Sequence, residues 1–256
     1  MNDLYSRNRF YITNEEQGKI RKTRILLGGA GIGSNIAECA LRFGFERITI
    51  VDGDKVELSN LNRQNYVRSD IGKYKAEALA DRLLRINPDA DIFFHSEYIT
   101  HENLNRLVND CDIAVNALDF KNDIPVRFDE RCRILNVPIL HPYNFGWGAL
   151  LMIVTPNGLP ISSLMKSENP IGFELEMAKY VSGYSRFWNI QENKWLTSIV
   201  DSYTTNQTHI VVPQLSIGSW MAGAMCVNAM YKIVTGQSVK VCPKFYLSSL
   251  LGDSIR

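Results

Sequence analysis

The chain has 256 residues, of which 45% are hydrophobic and 21% charged, so it can bury an ordinary core in one large domain or two modest ones. Its formal net charge is +1, with basic and acidic residues spread along the chain. This balance disfavours the large basic surface that nucleic-acid backbones need, and we expect no nucleic-acid partner.

The cysteines and the N-terminus indicate the compartment. The five cysteines lie far apart without a C-x-x-C pair: Cys39, Cys111, Cys132, Cys226 and Cys242. Such a set argues against a disulfide framework or a zinc site and fits a reducing compartment. The polar start MNDLYSRNRF is no signal peptide, so we expect a cytoplasmic protein. The apolar segment 215–234 is broken by Gly, Ser and Asn and favours a buried or subunit-interface helix over a membrane span.

Strand-like and helix-like segments alternate in the first 156 residues. The predicted strands are RILLG, RITIVD, DIFFHSEY, CDIAVNALD, VPILHPYN and GALLMIVTP. The predicted helices between them are IGSNIAECALRFG, KYKAEALADRLLRINP, HENLNRLVND and NDIPVRFDERCRILN. Strands separated by helices of this length are typical of βαβ units with a parallel sheet.

This rhythm fails from about residue 160 to 213, where only a helix near Phe173 to Val181 is predicted. A long helix from Leu215 and the strand KFYLSSL follow. We therefore predict an α/β, Rossmann-like fold: a mostly parallel sheet with helices on both faces and an irregular excursion at 160–213. The prediction is a single domain, 1–256. Its parts are an N-terminal arm (1–20), a nucleotide-binding core (21–156), a variable crossover region (160–213) and a C-terminal helix and strand (214–256).

The segment LLGGAGIGSN is typical of a phosphate-binding turn between a strand and a helix. Gly28 would allow the tight bend, Gly31 the approach of backbone to phosphate, and Gly33 close packing of helix on strand. The positive end of the following helix attracts an anion. Asp52 ends the next strand, where a carboxylate accepts hydrogen bonds from ribose hydroxyls. Together these features predict nucleotide binding.

The residues after Asp52 distinguish a triphosphate from a redox cofactor. Attack at an α-phosphate makes pyrophosphate a leaving group, whose growing charge needs Arg, Lys and a carboxylate-held divalent cation. Beyond Asp52 the chain supplies the cations Arg63 and Lys75 and, at the end of the fourth strand, the carboxylate of Asp119. The amides Asn60 and Gln64 lie in the same stretch as Arg63. In a parallel sheet the carboxyl ends of the strands share one edge, which predicts that Asp119 lies over the same crevice as Gly31.

The segments GGAGIG, DGDKVELSNLNRQ, DIGKYKAEA and NALD resemble, in order and spacing, the ThiF/MoeB/HesA family, which includes the adenylation domains of ubiquitin-activating enzymes. This resemblance implies ATP-dependent adenylation of a carboxylate, typically the C-terminus of a ubiquitin-like protein or a peptide. It also implies the roles of the side chains. Gly31 would lie against phosphate, Asp52 would hold the ribose, Asn60 and Arg63 would contact ribose and phosphates, Lys75 would contact phosphates and Asp119 would position Mg²⁺. Arg7, in YSRNR, would reach into the site of the partner subunit, which implies a homodimer.

Three departures from the family pattern matter. Ala30 replaces a glycine, which requires that its backbone avoid positive φ. Phe120 replaces the Asn that commonly follows the strand-four Asp. The zinc-binding C-x-x-C pairs are missing, and no cysteine lies between Cys132 and Cys226 to form a thioester. The cofactors expected are therefore ATP and Mg²⁺ without zinc, and the adenylate would be released or transferred directly.

Each residue also has a structural interpretation. Arg63 and Lys75 could be surface cations, Asp119 a helix N-cap, Asp54 a turn-closing residue or an aid to Mg²⁺, and Arg7 part of a mobile terminus. His141 is the one histidine with a position suited to substrate contact. Two other functions stay open: an NAD-dependent oxidoreductase, and a nucleotide-binding pseudoenzyme of the same fold. Within the family, a tRNA-linked carboxylate is an alternative substrate.

Overall fold

The computed structural model describes residues 3–166, 170–190, 194–206 and 213–251. In these ranges the strands are β1 (Arg24–Gly28), β2 (Arg47–Val51), β3 (Asp91–His95), β4 (Ile113–Asn116), β5 (Ile139–Asn144), β6 (Gly148–Val154) and β7 (Phe245–Ser249). The α-helices are α1 (Asn14–Lys22), α2 (Gly33–Phe43), α3 (Lys75–Ile86), α4 (Leu104–Leu107), α5 (Ile124–Ile134), α6 (Phe173–Phe187), α7 (Lys194–Asn206) and α8 (Ser216–Val234). Each strand predicted from the sequence is present.

A single sheet joins these strands in the order β3-β2-β1-β4-β5-β6-β7. β1 to β5 pair in parallel, whereas β6 is antiparallel to both β5 and β7. The reversal has a local cause, because only residues 145–147 separate β5 from β6, and a parallel crossover needs about a dozen residues or more. The predicted Rossmann-like, mostly parallel sheet is confirmed, with β6 as its antiparallel member.

Helices cover both faces of the sheet, as predicted. Along β1 the side chains alternate, so that Ile25 and Leu27 point to one core and Leu26 to the other. The first core is closed by α1, α2, α3 and α8. The second is closed by α4, α5, α6 and α7. Burial on both faces explains why the central strands are almost wholly apolar.

The N-terminal segment packs on the rest of the chain. α1 starts with a capping box in which the Glu16 amide donates to Thr13 Oγ1 and the Thr13 amide donates to the Glu16 carboxylate. Ile20 is fully buried, and the buried Tyr5 donates its hydroxyl hydrogen to the carbonyl of Leu41. The predicted boundary between arm and core at residue 20 falls inside α1, where Ile20 packs into the first core.

The region predicted as an irregular excursion contains a helical pair, α6 and α7. Their buried side chains include Phe173, Met177 and Val181 on α6 and Leu196 and Val200 on α7. The prediction of irregular structure is wrong over these two helices, and the helix predicted near Phe173 extends further than expected. Their Ser, Thr and aromatic residues have modest helix propensity, so the apolar stripe packed against the sheet determines the conformation.

α8 is a buried helix. Gly223 lies against the backbone of Asn35 in α2, where a Cβ would come 3.2 Å from the Asn35 carbonyl oxygen. Ala222, Cys226 and Met230 on the same helix are fully buried. Across the described ranges, no helix combines the length and the apolar character needed to cross a bilayer.

Candidate nucleotide-binding site

The carboxyl ends of β1, β2 and β4 form one edge of the sheet, where Gly28 pairs with Val51 on one side and with Asn116 on the other. The loops that follow these strands are the Gly-rich turn (29–33), the loop from Asp52 and the loop from Ala117. Ligands of open parallel sheets bind at this edge. The structure therefore brings together three segments that the sequence predicted separately.

The tight bend of the Gly-rich turn lies at Gly29. Its φ is +95°, and a Cβ there would overlap the carbonyl oxygen of Ala117. Gly28, where the sequence predicted the bend, does not have positive φ; it is constrained instead by Phe128, whose ring would lie 2.9 Å from an added Cβ. The predicted role of Gly28 is therefore wrong, and both glycines are required for different steric reasons.

Gly31 lies at the open side of the turn. A Cβ there would meet only the side-chain amide of Gln64, with Nε2 at 3.4 Å. Gln64 Oε1 is buried and has no hydrogen-bond partner among the residues described. This side-chain oxygen is therefore an unused hydrogen-bond acceptor beside the turn. Gly33 differs from expectation, because its Cβ would make only an ordinary contact of 3.9 Å with Leu27. Close packing does not require glycine there.

Asp52 connects the Gly-rich turn to the loop after β2. One carboxylate oxygen accepts the Ala30 amide at 2.6 Å and the other accepts the Asp54 amide at 2.7 Å. Burial raises the pKa of the Asp52 carboxyl, and the Ala30 amide and the Lys75 ammonium oppose this shift. Ala30 does not have positive φ, as replacement of a glycine requires. Its carbonyl accepts the buried Tyr66 hydroxyl at 2.8 Å.

Asn60 and Arg63 lie in the turns that follow this loop. Asn60 is buried and its Oδ1 accepts the Glu57 amide at 2.9 Å. The Arg63 guanidinium donates to Gln214 Oε1 at 2.6 Å and to the Ser59 carbonyl at 2.8 Å. These partners are neutral, so they orient the guanidinium without neutralising its charge.

Lys75 begins α3 and is buried at the same edge. Its Nζ lies 3.0 Å from Asp54 Oδ2, while the other oxygen of Asp54 accepts the Tyr98 hydroxyl at 2.7 Å. Burial raises the pKa of the Asp54 carboxyl, but the Tyr98 hydrogen bond and the Lys75 ammonium outweigh it and hold that pKa below its ordinary value. Both oxygens of Asp54 are thus engaged within the chain, which favours its interpretation as a turn-closing residue.

Asp119 is exposed on the loop after β4, and its carboxylate lies 2.8 Å from Lys121 Nζ. This contact raises the pKa of Lys121, and the Lys121 charge in turn helps lower the pKa of Asp54. Asp119 thus lies on the loop that follows β4 at the nucleotide edge. The N-cap interpretation is excluded, because the residue that precedes α5 is Asp123.

Three residues of this edge were missed from the sequence: Tyr98, Lys121 and Gln214. Tyr98 ends one predicted strand and Lys121 closely follows another. Their position at strand ends is a signal from which they could have been predicted. Gln214 precedes α8 and lies 151 positions from Arg63. No local pattern predicts that contact, because it depends on how α8 packs against the sheet.

Arg7 is exposed and lies far from the nucleotide edge of its own chain. Its neighbour Tyr5 contacts Leu41, near the end of α2, and Asn87, which follows α3. Both helices start at the nucleotide edge and run away from it. Arg7 therefore lies at the opposite end of the sheet.

His141 lies on β5 and is buried on the face that α5 covers, with Nε2 2.9 Å from Asp129 Oδ2 of α5. This position excludes the substrate contact considered from the sequence. The five cysteines are free, and all are buried except the half-buried Cys39. Burial raises the pKa of Cys111 to about 12 and that of Cys242 to about 11, and it raises the pKa of the others. None has the low thiol pKa of a nucleophilic cysteine.

The fold is a Rossmann-like α/β sheet whose ligand edge carries the cations Arg63, Lys75 and Lys121 and the carboxylates Asp52, Asp54 and Asp119 near a Gly-rich turn, an arrangement suited to a nucleotide. The ThiF family profile matches residues 5–256, which is nearly the whole length. The chain belongs to the ThiF family, and the resemblance found in the sequence is confirmed.

Individual relatives share shorter regions. The sulfur carrier protein ThiS adenylyltransferase of Bacillus subtilis (strain 168) is 33% identical over 67% of this chain and 53% of its own length. Ubiquitin-like modifier-activating enzyme 5 of Caenorhabditis elegans is 37% identical over 41% of this chain and 26% of its own length. The tRNA threonylcarbamoyladenosine dehydratase of Haemophilus influenzae is 25% identical over 84% of this chain and 80% of its own length. The chain thus spans about half of the first relative and about a quarter of the second.

Solved structures share the fold. E. coli MccB with ATP matches with a TM-score of 0.68 and 19% identity, over 97% of this chain and 72% of that one. E. coli TcdA with ATP matches with a TM-score of 0.62 and 17% identity, over 91% of this chain and 93% of that one. At these identities the likeness shows the Rossmann-like fold alone.

Proposed function

We propose that this protein catalyses the ATP- and Mg²⁺-dependent adenylation of a carboxylate, the C-terminus of a ubiquitin-like protein or of a peptide. The observation that supports the proposal is the buried Lys75–Asp54 pair at the sheet edge, in a region whose neighbouring loops carry Arg63 and Asp119. A nicotinamide cofactor has no need of this group, whereas a triphosphate attacked at its α-phosphorus does. The oxidoreductase alternative therefore leaves the main feature of the edge unexplained.

Binding of ATP uses the turn and the loop after β2. The backbone at Gly31, which is open except for Gln64, lies against the phosphates, and the positive end of α2 attracts them. The Asp52 carboxylate accepts the ribose hydroxyls, and its bonds to Ala30 and Asp54 fix its position in advance. Asn60 contacts the ribose side.

In the chemical step a carboxylate oxygen of the substrate attacks the α-phosphorus. The new oxygen–phosphorus bond forms as the bond from the α-phosphorus to the bridging oxygen breaks, and pyrophosphate leaves; no proton has to move. Arg63 and Lys75 neutralise the charge that grows on the leaving group. Arg63 is suited to this role because its partners in the chain are neutral.

The residues at the edge fit Mg²⁺. Asp119 has an exposed carboxylate, and Mg²⁺ in phosphate sites is commonly held by one or two carboxylates together with phosphate oxygens. The metal would supply further charge neutralisation on the phosphates. Asp119 would hold the metal, and the neighbouring Lys121 would add a further positive charge toward the phosphates.

The product is an acyl-adenylate that is released or transferred directly. Support comes from the cysteines, none of which is exposed or has a lowered pKa. The activities of relatives support the substrate class: one is a ThiS adenylyltransferase and another an activating enzyme for a ubiquitin-like modifier.

The active form is a homodimer in which Arg7 enters the partner's site. The support is geometric, because Arg7 lies at the end of the sheet opposite its own nucleotide edge and has no role there. We also place the protein in the cytoplasm, which five free cysteines favour.

A second substrate is a carboxylate carried on tRNA. The observation in its favour is the tRNA threonylcarbamoyladenosine dehydratase, which matches 84% of this chain. The formal net charge of +1 counts against it. Binding of bulk tRNA at physiological salt separates the two: micromolar affinity favours the tRNA-linked substrate, and its absence favours the protein or peptide C-terminus.

A panel assay tests the main proposal. Labelled pyrophosphate is incubated with the protein, ATP and Mg²⁺, and with peptides or ubiquitin-like proteins of different C-termini. Incorporation of label into ATP that depends on one carboxylate class identifies the substrate. ATP binding without exchange for every carboxylate offered would favour the pseudoenzyme.

A further inference from the structure

The loop that carries Asp119 is tied to the variable region by one hydrogen bond. The backbone amide of Phe120 donates to Glu174 Oε1 at 2.9 Å, across 54 positions of sequence. Glu174 lies in the first turn of α6 and is half-buried. A carboxylate acceptor makes this a charge-assisted bond, which is stronger than one between neutral groups.

An aromatic contact supports the same connection. The Phe120 side chain is buried, and its ring centroid lies 4.9 Å from that of Phe173 at an interplanar angle of 59°. Phe120 is the residue that departs from the family pattern, since an Asn commonly stands there. Its side chain points into the core beneath α6 and does not reach the nucleotide edge.

The backbone is therefore held on both sides of Asp119. On one side the Ala117 amide donates to the Gly28 carbonyl at 2.8 Å, which fixes the loop to the end of β1. On the other side Phe120 is held by Glu174. Within the described ranges the Asp119 carboxylate has one contact, the exposed one with Lys121, so the flanking bonds fix the position of the backbone that carries it.

We propose that Glu174 is a positioning residue, which with Phe173 holds the loop of Asp119 in place and makes α6 the physical link between the variable region and the nucleotide edge. This inference rests on the proposed function for the role of Asp119, but the anchoring itself does not depend on it.

The first test measures amide hydrogen exchange at Phe120 in the unliganded protein. Glu174→Ala removes the acceptor, and exchange at this amide rises on the order of tenfold. Glu174→Gln keeps a side-chain carbonyl acceptor and retains most of the protection. Glu174→Asp, which is one methylene shorter, gives an intermediate rate and serves if the alanine variant folds poorly. The matched control is Glu176→Ala on the same helix. The Glu176 carboxylate accepts the exposed Lys166 amide and does not contact Phe120 in the hydrogen bonds described.

The second test measures ATP binding as Mg²⁺ is titrated, without any carboxylate substrate. Glu174→Ala raises the Mg²⁺ concentration needed for tight ATP binding on the order of tenfold, leaves metal-free binding unchanged, and adds nothing to Asp119→Ala. Unchanged protection of Phe120, or effects of the two variants that add, would overturn the proposal. If no carboxylate is ever adenylated the proposed function fails, but both tests still report on the anchoring.

Discussion

Arg63 Nε donates to Gln214 Oε1 at 2.6 Å, a contact that joins the turns after β2 to the segment that leads into α8. Arg63 Nη1 donates to the Ser59 carbonyl and to Asn62 Oδ1. All three acceptors are neutral. The arrangement fixes the direction of the guanidinium and leaves its charge for an anion, which is what a pyrophosphate leaving group needs.

Removal of this guanidinium should impair chemistry more than folding. We expect Arg63→Ala to lower pyrophosphate exchange on the order of 100-fold, because one charge-stabilising group is lost at the leaving group. Gln214→Ala leaves the cation but frees its orientation, and a decrease of about tenfold is expected. Arg68→Ala, an exposed arginine in the same loop region, is the control. Equal effects of Arg63→Ala and Arg68→Ala would argue for a general charge effect.

The glycines of the turn should separate into structural and functional positions. Gly29→Ala places a Cβ against the Ala117 carbonyl at φ +95°, and we expect a loss of about 2 kcal/mol or more of unfolding free energy. Gly31→Ala meets only the Gln64 amide at 3.4 Å, so its unfolding free energy should change by less than about 1 kcal/mol while ATP binding is lost. Urea denaturation and ATP titration of both variants measure this contrast. Wild-type ATP affinity in Gly31→Ala would contradict the phosphate role.

Acid stability should depend on the Tyr98 hydroxyl. The pKa of Asp54 is held below its ordinary value, so this group stabilises the fold above the unfolded-state pKa of about 4, and the contribution is lost as pH falls through the folded pKa. Tyr98→Phe removes the hydrogen bond and raises the pKa of Asp54. The midpoint of acid unfolding then moves to higher pH. Carbon NMR of the Asp54 carboxyl measures the shift, and Tyr74→Phe, an exposed tyrosine in contact with Lys55, is the control.

If Arg7 acts across the dimer, two variants that are inactive alone should recover exchange activity when their subunits are mixed. In a mixed dimer of Arg7→Ala and Asp119→Ala subunits, one of the two sites has both an intact Asp119 and the partner's intact arginine. Random mixing of equal amounts should therefore restore about a quarter of the wild-type exchange activity, by the statistics of a two-fold dimer. No activity above that of the separate variants would place Arg7 outside the site. Subunit exchange, followed by native mass spectrometry, confirms that mixed dimers formed.

The sequence predicted the sheet edge better than the contacts around it. Alternating strands and helices predict that the loops after parallel strands share one edge, and the residues proposed at that edge were Gly31, Asp52, Arg63, Lys75 and Asp119. Their roles stay predictions. The sequence placed the tight bend at Gly28 instead of Gly29, because the sequence of a Gly-Gly pair does not indicate which of the two has positive φ.

Contacts across the fold were not predictable in this way. Gln214 contacts Arg63 and Glu174 contacts Phe120, each from a segment distant in sequence. No local sequence pattern predicts such contacts. α7 was missed for a different reason: its Ser, Thr and β-branched residues have modest helix propensity, and the burial of Leu196 and Val200 against the second core outweighs it. Tertiary packing decided both cases.

The most direct measurement of the central claim is carboxylate-dependent pyrophosphate exchange in wild type and Asp119→Ala, each with ATP binding determined in parallel. Asp123→Asn, at a half-buried aspartate that precedes α5, is the matched control. The account predicts exchange in the wild type and the control, and a loss on the order of 100-fold or more in Asp119→Ala with metal-free ATP binding retained. Equal exchange in Asp119→Ala and wild type would contradict it.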